Sequence, residues 1–383
     1  MNEIKLLLEA CATLKNDPGR VALATIVKVQ GSAYRGPGAR LLIASDGRTV
    51  GSISAGCLEV DLCERARKVT ASGAPTVVTY DTTALGDNVW GLGLGCGGTI
   101  EVLIEPFIPD AAATPLLAFL GERLARRDAG VVVTVFRGSG GTTAIGSRLA
   151  LTASGPGFCD IVDPRLAEAL LGEARAALHE GRSRVKECTA GEATAEALIE
   201  VVWPPLPLVI FGAGDDAVPL ARLANQVGWH VTVVDSRPGL VTAERFPWAD
   251  AVVVSRPGAP APGVSLDDRT VVVVMTHNFS HDRELVEMLL PSPIRYLGVL
   301  GARSRTMAML QALTEKGLAV RDQNLARLYS PVGLDLGAET PEEIALAILA
   351  EIKAVSKGRA AGFLRDRKGP IHDWMETTGR NPS

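Results

Sequence analysis

The sequence predicts an α/β protein in two parts: an N-terminal α+β domain followed by a C-terminal Rossmann-type doubly wound parallel sheet. Three observations lead there. The apolar run Leu208-Val-Ile-Phe211 passes directly into the glycine turn Gly212-Ala-Gly214-Asp-Asp-Ala217 and then into a helical stretch. Beyond residue 207, short apolar strands alternate regularly with helices, and continuous runs such as Val271–Met275 suit a parallel sheet covered on both faces. Ahead of these units, Trp203-Pro204-Pro205-Leu206-Pro207 places three prolines in five residues, which cannot continue a central strand and read as a stiff linker. The expected domains are 1–203, a linker at 204–206, a nucleotide-binding domain at 207–357 and a polar tail at 358–383.

In the first part, residues 2–14 carry apolar positions at helical spacing, and 20–29 alternate with β-branched residues as a strand does. A loop follows over 31–38, then strands at 40–44 and 49–53 joined by an Asp46-Gly47 turn. Residues 57–71 have helical periodicity and end at Gly73. Strands are expected at 75–80 and 99–105 around the glycine-rich run 86–98. A helix near 115–127, strands near 131–136 and 144–151, a helix at 165–178 and strands near 184–188 and 197–202 complete it. No internal repeat is visible. In the second part the strands are 207–211, 231–235, 250–254, 270–275 and 295–299. The helices are 215–227, 279–289, 303–316 and 341–356.

The 383 residues, 47% apolar and 21% charged, are those of an ordinary globular protein. A net charge of −4 argues against a nucleic-acid surface. No apolar run approaches the ~20 residues of a membrane helix, and the N-terminus lacks a secretory pattern, so a cytoplasmic location without membrane insertion is expected. Six cysteines are too few for a disulfide scaffold.

The turn Gly212-x-Gly214-x-x-Ala217 has its full context of strand before and helix after. Gly212 permits a tight turn, Gly214 lets backbone approach a pyrophosphate, and Ala217 permits close helix–sheet packing. Asp235 ends the next strand 21 positions beyond Gly214, where a ribose-binding acid is expected at about 20. That carboxylate favours NAD over NADP, although Arg237 could accommodate a 2′-phosphate; S-adenosylmethionine sites use a similar turn and acid. Asp215 and Asp216 put negative charge at the phosphate end. After later strands, Thr276-His277 and Gly301-Ala-Arg303 are further cofactor-binding candidates. His277 and His281 stand at i, i+4, but no third metal ligand is evident, and His277 has no obvious catalytic partner.

Two cysteines sit in unusual settings. Cys57 follows the small-residue loop Ser54-Ala-Gly56 at an expected helix start, where a thiolate is favoured. Cys96 lies among glycines, with Gly97 next to it. Cys11 and Cys63, set among apolar residues, read as core. Cys57 and Cys96 are the candidate reactive residues, with Ser54, Gly56 and Gly97 as cofactor-binding backbone. No metal site is expected.

At this point the chain resembles the XdhC/CoxI family. The N-terminal module is carried by Gly31-Ser-Ala-Tyr-Arg35-Gly-Pro-Gly38-Ala, Asp46-Gly47, Gly51-Ser-Ile-Ser-Ala-Gly-Cys57-Leu-Glu59 and Gly95-Cys-Gly-Gly98. The Rossmann module is carried by Ile210-Phe-Gly-Ala-Gly214, Val234-Asp-Ser-Arg237, Thr276-His277, Gly298 to Gly301, and Ser330 to Ala345 with its Gly337-Ala-Glu339-Thr-Pro341. Ala55 stands where the family usually has glycine. The resemblance implies a maturation factor for molybdenum hydroxylases of the xanthine or carbon monoxide dehydrogenase type. Such a factor binds molybdenum cofactor (molybdopterin or its dinucleotide form), supports its sulfuration by a cysteine desulfurase, and delivers it to the apo-enzyme, as a chaperone and not a metabolic catalyst; a homodimer is expected. The competing readings are an NAD(P)-dependent oxidoreductase and a scaffold between desulfurase and dehydrogenase.

Overall fold

The computed structural model describes residues 2–15, 20–54, 56–81, 97–139, 144–256, 258–259, 261–318, 320–368 and 371–372. The chain divides after Pro204 into two compact units. Among the described residues no helix is long and apolar enough to cross a membrane.

The first unit begins with α1 (Asn2–Leu14), β1 (Val21–Gly31), β2 (Arg40–Ala44), β3 (Thr49–Gly51), α2 (Glu59–Ser72), β4 (Thr76–Asp81) and β5 (Gly98–Phe107). It continues with α3 (Pro115–Arg126), β6 (Gly130–Ser139), β7 (Arg148–Thr152), β8 (Gly155–Cys159), α4 (Pro164–Glu180), β9 (Arg184–Ala190) and β10 (Ala193–Val202). The strands form two antiparallel sheets, ordered β3-β2-β1-β5-β4 and β8-β7-β6-β10-β9. Alternation along β1 explains the layering. Ala22, Ala24 and Ile26 face α2, whereas Val21 and Leu23 join a core shared with α1, α3, β6 and β10. Val131, Val133 and Val135 of β6 face α4. The two sheets therefore pack face to face, with α2 and α4 outside.

Contrary to the sequence reading, this unit contains an internal repeat. Helix, three strands, helix and two strands occur twice, with the same strand order. Arg40 at the head of β2 grips Glu200, and Arg148 at the head of β7 grips Glu105. Arg40 also donates to the Gly38 carbonyl and Arg148 to that of Gly146. Gly38 and Gly146 both need positive φ, 90° and 91°. A register shift between β1 and β5 singles out Val27, and one between β6 and β10 singles out Phe136; these two meet in a small cluster with Leu103 and Leu198. At the head of α2 and along it, Leu58, Leu62, Ala66 and Val69 are buried, as are Leu166, Leu170, Ala174 and Ala177 of α4, each 108 positions on. The repeat escapes notice in the sequence because its spacing drifts. Thr25 and Thr134 are 109 apart, but their pairing partners Leu103 and Leu198 only 95. What is kept is an apolar alternation, a glycine and two charge pairs, not a run of identities.

The second unit is a Rossmann fold. Its elements are β11 (Pro207–Phe211), α5 (Ala217–Gln226), β12 (His230–Asp235), β13 (Ala251–Val254), β14 (Val271–Val274), α6 (Phe279–Leu289), β15 (Tyr296–Val299), α7 (Arg303–Glu315), α8 (Asp322–Leu325), β16 (Leu328–Tyr329) and α9 (Pro341–Ser356). The sheet is parallel and ordered β13-β12-β11-β14-β15-β16. Leu208 and Ile210 pack under α5 and α9, Val209 and Phe211 under α6 and α7. Thr340-Pro341-Glu-Glu343 is a capping box: the Thr340 hydroxyl accepts from the Glu343 N–H, and the Glu343 carboxylate accepts from the Thr340 N–H. The short elements α8, β8 and β16 have no counterpart in the sequence reading, because two to five residues carry too little periodicity. The strand order reverses between β11 and β14, and ligands of such sheets bind beyond the strand ends at that point.

Candidate functional site

Gly212, after β11, has φ of 122°, and a Cβ there would lie 2.4 Å from the Met275 carbonyl oxygen. Glycine is thus required both by conformation and by the approach of β14's end. The helix starts at Ala217, two residues later than the sequence suggests. Asp216 holds the N-cap position without capping. Its carboxylate turns instead to His277, with Nε2 at 2.7 Å. A Cβ on Gly214 would lie 2.7 Å from Asp216 Oδ1 and 3.8 Å from the His277 ring. The space above Gly214, where a pyrophosphate would approach, is therefore bordered by this pair. Asp215 is exposed and pairs with Arg245. Both acids of the turn carry a basic partner.

His277 follows β14 and has φ of 60°, a left-handed conformation rare for a residue with a side chain. Its neighbours explain how the loop is held. Asp282, fully buried, accepts from the Thr276 hydroxyl at 2.5 Å and from Arg305 Nη2 at 2.7 Å. Asn278 caps α6 through the Ser280 and His281 N–H groups. Sequence reasoning singled out Arg303, which is exposed at the start of α7; two positions further on, Arg305 is the arginine that braces the loop. Gly301 has φ of 127° and packs on Arg305. Sequence reasoning misses Asp282 and Arg305 and reads Asp216 only as unfavourable charge at the phosphate end, since the roles of all three depend on contacts between segments distant in sequence.

At the other end of the crevice, Asp235 lies at the end of β12, buried. Burial works to raise its pKa, but hydrogen bonds from the Arg237 side chain and from the Ala213 and Arg237 N–H groups outweigh it and hold the carboxyl below the usual range. A cleft of about 120 Å³ opens here, lined by Asp235, Arg237, Arg256 and His281 among others. His277 and His281 thus lie in different parts of the crevice, one against Asp216 and one in the cleft beside Asp235.

In the first unit, Cys57 is half-buried in the turn leading into α2. The helix begins only at Glu59, so the thiol is not at its first turn as expected. The first helical residue, Glu59, organises the loop that carries the thiol. The Glu59 carboxylate accepts from the N–H groups of Ser54 at 2.9 Å, Leu58 at 3.2 Å and Ile53 at 3.3 Å, and from the Ser54 hydroxyl. Burial pushes the Glu59 carboxyl up, and these bonds, led by those from Ser54, bring it below its ordinary value. Ser54 is buried and shapes the loop; Gly56 has φ of 106° with open space at its Cβ position. Gly97 and Gly98 lie against the end of β1, where a Cβ on Gly31 would meet the Gly97 carbonyl at 2.8 Å. Cys96 lies outside the described residues. Cys11 and Cys63 belong to the cores, and burial pushes both thiols up, that of Cys11 to about 11.

Known families describe both units. Residues 14–81 match the model of the XdhC and CoxI family, and residues 208–352 match that of the XdhC Rossmann domain. A Bacillus subtilis protein described as a probable xanthine dehydrogenase subunit is 32% identical over 92% of this chain and 97% of its own length. The chain belongs to the XdhC and CoxI family. The molybdenum cofactor insertion chaperone PaoD of Escherichia coli is 24% identical over 91% of this chain and 87% of its own. A crystal structure described as a xanthine dehydrogenase from Bacillus halodurans matches with a TM-score of 0.73 and 31% identity, over 92% of this chain and 96% of that one.

Several of the motifs by which this XdhC-type chain resembles the family fall within the described residues. Arg35-Gly-Pro-Gly38 lines a cleft of about 300 Å³ with Arg40, Gly51 and Glu200, and Arg35 pairs with Glu3. Gly51 has no room for a side chain, since a Cβ would lie 2.2 Å from the Arg40 carbonyl oxygen. In the repeat, Cys57 corresponds to Arg165 and Glu59 to Ala167, by the same 108-residue offset as the buried helix residues. The second copy keeps the frame without the thiol.

Proposed function

We propose that this protein is a maturation factor for a molybdenum hydroxylase of the xanthine or carbon monoxide dehydrogenase type. It takes molybdenum cofactor as its cargo, supports sulfuration by a cysteine desulfurase, and delivers the product to the apo-enzyme. The observation that carries this reading is the likeness, along nearly the full length of both chains, to a molybdenum cofactor insertion chaperone. Local chemistry supports it. Cys57 stands half-exposed in a loop held by Glu59, and a thiolate is a soft ligand suited to a metal that carries labile sulfur. The Rossmann unit binds a nucleotide, either a separate dinucleotide or the nucleotide part of a pterin dinucleotide. Its glycine turn and helix N-terminus supply the N–H groups that a pyrophosphate needs. The protein acts in the cytoplasm as a homodimer.

The test is to purify the protein from cells making molybdenum cofactor, then measure pterin fluorescence and molybdenum per chain. The loaded protein is next mixed with apo-hydroxylase, with and without desulfurase. Bound pterin and recovered hydroxylase activity are expected. A protein that carries neither pterin nor molybdenum and activates nothing would overturn the proposal.

A second reading, an NAD(P)-dependent oxidoreductase, draws on one observation. His277, which has no evident partner in the sequence, pairs with Asp216 at the switch point of the sheet. A histidine oriented by a carboxylate can relay a proton during hydride transfer. Turnover of NAD(P)H with any carbonyl acceptor, lost in His277→Gln, is the result that would favour it.

A further inference from the structure

Asp235 stands where a Rossmann site places the acid that accepts the two ribose hydroxyls. Here that carboxylate is already fully engaged. Oδ1 accepts from the Arg237 N–H at 2.9 Å and from Arg237 Nε at 3.0 Å. Oδ2 accepts from the Ala213 N–H at 2.8 Å and from Arg237 Nη2 at 2.8 Å. An ionised carboxylate offers about four lone-pair sites, so no acceptor remains for a ribose diol.

The groups around it are donors. Arg237 is 54% exposed and spends part of its five-donor fork on Asp235, keeping the rest for the cleft. Ser236 and Ser255 bring hydroxyls from the ends of the adjacent strands β12 and β13, and Arg256 follows Ser255. Arg256 is exposed, and its guanidinium makes no hydrogen bond or ion pair with any described residue. One arginine neutralises Asp235; the second is left over. The cleft therefore has an excess positive charge, the two serine hydroxyls and no free carboxylate oxygen. That chemistry suits an anion better than a diol.

We propose that the ribose end of this crevice binds a phosphomonoester on the ribose, so that the nucleotide taken is of the NADP or coenzyme A kind and not NAD. Arg256 is its principal partner, with Arg237 and the two serines completing the seat. Arg237 acts in two ways, by donating to the phosphate and by withholding Asp235 from the hydroxyls. The inference rests on the reading of the Rossmann unit as a nucleotide site.

The full chain is titrated calorimetrically with 5′-AMP, 2′,5′-ADP and 3′,5′-ADP, which differ only in the phosphomonoester on the ribose. One of the bisphosphates is expected to bind about tenfold tighter than 5′-AMP, with the gap shrinking as salt is raised. A preference for the 2′ isomer identifies an NADP-type ligand, and one for the 3′ isomer a coenzyme A type. Arg256→Ala, a change at an exposed position, should bring both bisphosphates to the affinity of 5′-AMP. Arg237→Ala, which releases Asp235, should tilt the order toward 5′-AMP. If 5′-AMP binds as tightly as either bisphosphate, the proposal falls while the nucleotide reading stands. If a preference exists but survives Arg256→Ala, the assigned seat is wrong. If none of the three binds, the nucleotide reading falls with it.

Discussion

His277 Nε2 lies 2.7 Å from the Asp216 carboxylate, joining the loops that follow the adjacent strands β11 and β14. The contact closes over Gly214, the position at which a pyrophosphate would approach the backbone. An incoming phosphate must displace that carboxylate or bind against it, and would then find His277 as a donor.

Asp216→Asn should therefore tighten nucleotide binding. The amide keeps the shape and can still bond to His277, but the charge facing the phosphate is gone. A gain of about tenfold, equivalent to ~1.4 kcal/mol, is expected by calorimetry. Unchanged or weaker binding would mean that the carboxylate lies clear of the phosphates.

The two glycines of the turn should respond differently. Gly214 has an ordinary φ, and its nearest obstacle is the end of the Asp216 side chain, which can move. Gly214→Val should abolish nucleotide binding and leave thermal unfolding nearly unchanged. Gly212→Ala forces a Cβ against the Met275 carbonyl at a φ that L residues avoid, and should cost about 1–3 kcal/mol of stability. Equal melting temperatures for Gly212→Ala and wild type would contradict this account.

The thiols separate by position. Cys57→Ser should fold normally and lose most of its bound molybdenum, because serine keeps the shape and removes the soft ligand. Cys63→Ser, packed on the core beneath α2, should affect stability at most. Cys96→Ser completes the comparison. Molybdenum per chain and recovered hydroxylase activity are the readouts; if Cys57→Ser and Cys96→Ser both match Cys63→Ser, the thiols are packing residues.

The paired sheets should depend on their cross-sheet ion pairs. Arg40 is 8% exposed, and Glu200→Gln leaves its guanidinium buried without a counter-charge. A loss of about 3–5 kcal/mol in urea denaturation is expected, and a similar loss for Glu105→Gln, its counterpart in the repeat. Asp46→Asn, in an exposed pair with Arg48, should leave the midpoint where it is. A large asymmetry between the two buried pairs would argue against their equivalence.

Asp235 gives a pH signature. Its carboxyl is held below the usual range in the fold, so its contribution to stability is complete above the unfolded value near 4 and is lost as pH falls through the folded value. The stability difference between wild type and Asp235→Asn should be constant from about pH 5 to 7 and shrink below about pH 4. Chemical denaturation across pH 3 to 7 measures it. A difference that grows on acidification would reverse the sign of the assignment.

By itself the sequence determined what depends on neighbouring residues. The glycine turn between β11 and α5, the apolar strands of a parallel sheet and the family motifs are all local patterns, because a turn's φ and a strand's two-residue period are written in adjacent positions. Tertiary structure decided what depends on loops meeting. It gave His277 its partner in Asp216, 61 positions away, filled Asp235 with Arg237 and Ala213, and made Arg305 rather than Arg303 the brace of the His277 loop. It set Glu59, not Cys57, at the head of α2. It also exposed the repeat in the first unit, where Arg40–Glu200 and Arg148–Glu105 are equivalent across sheets although their spacings along the chain differ. Hydrogen bonds and ion pairs act over a few ångströms in space and leave no fixed period in sequence. Only the folded backbone brings such partners within reach.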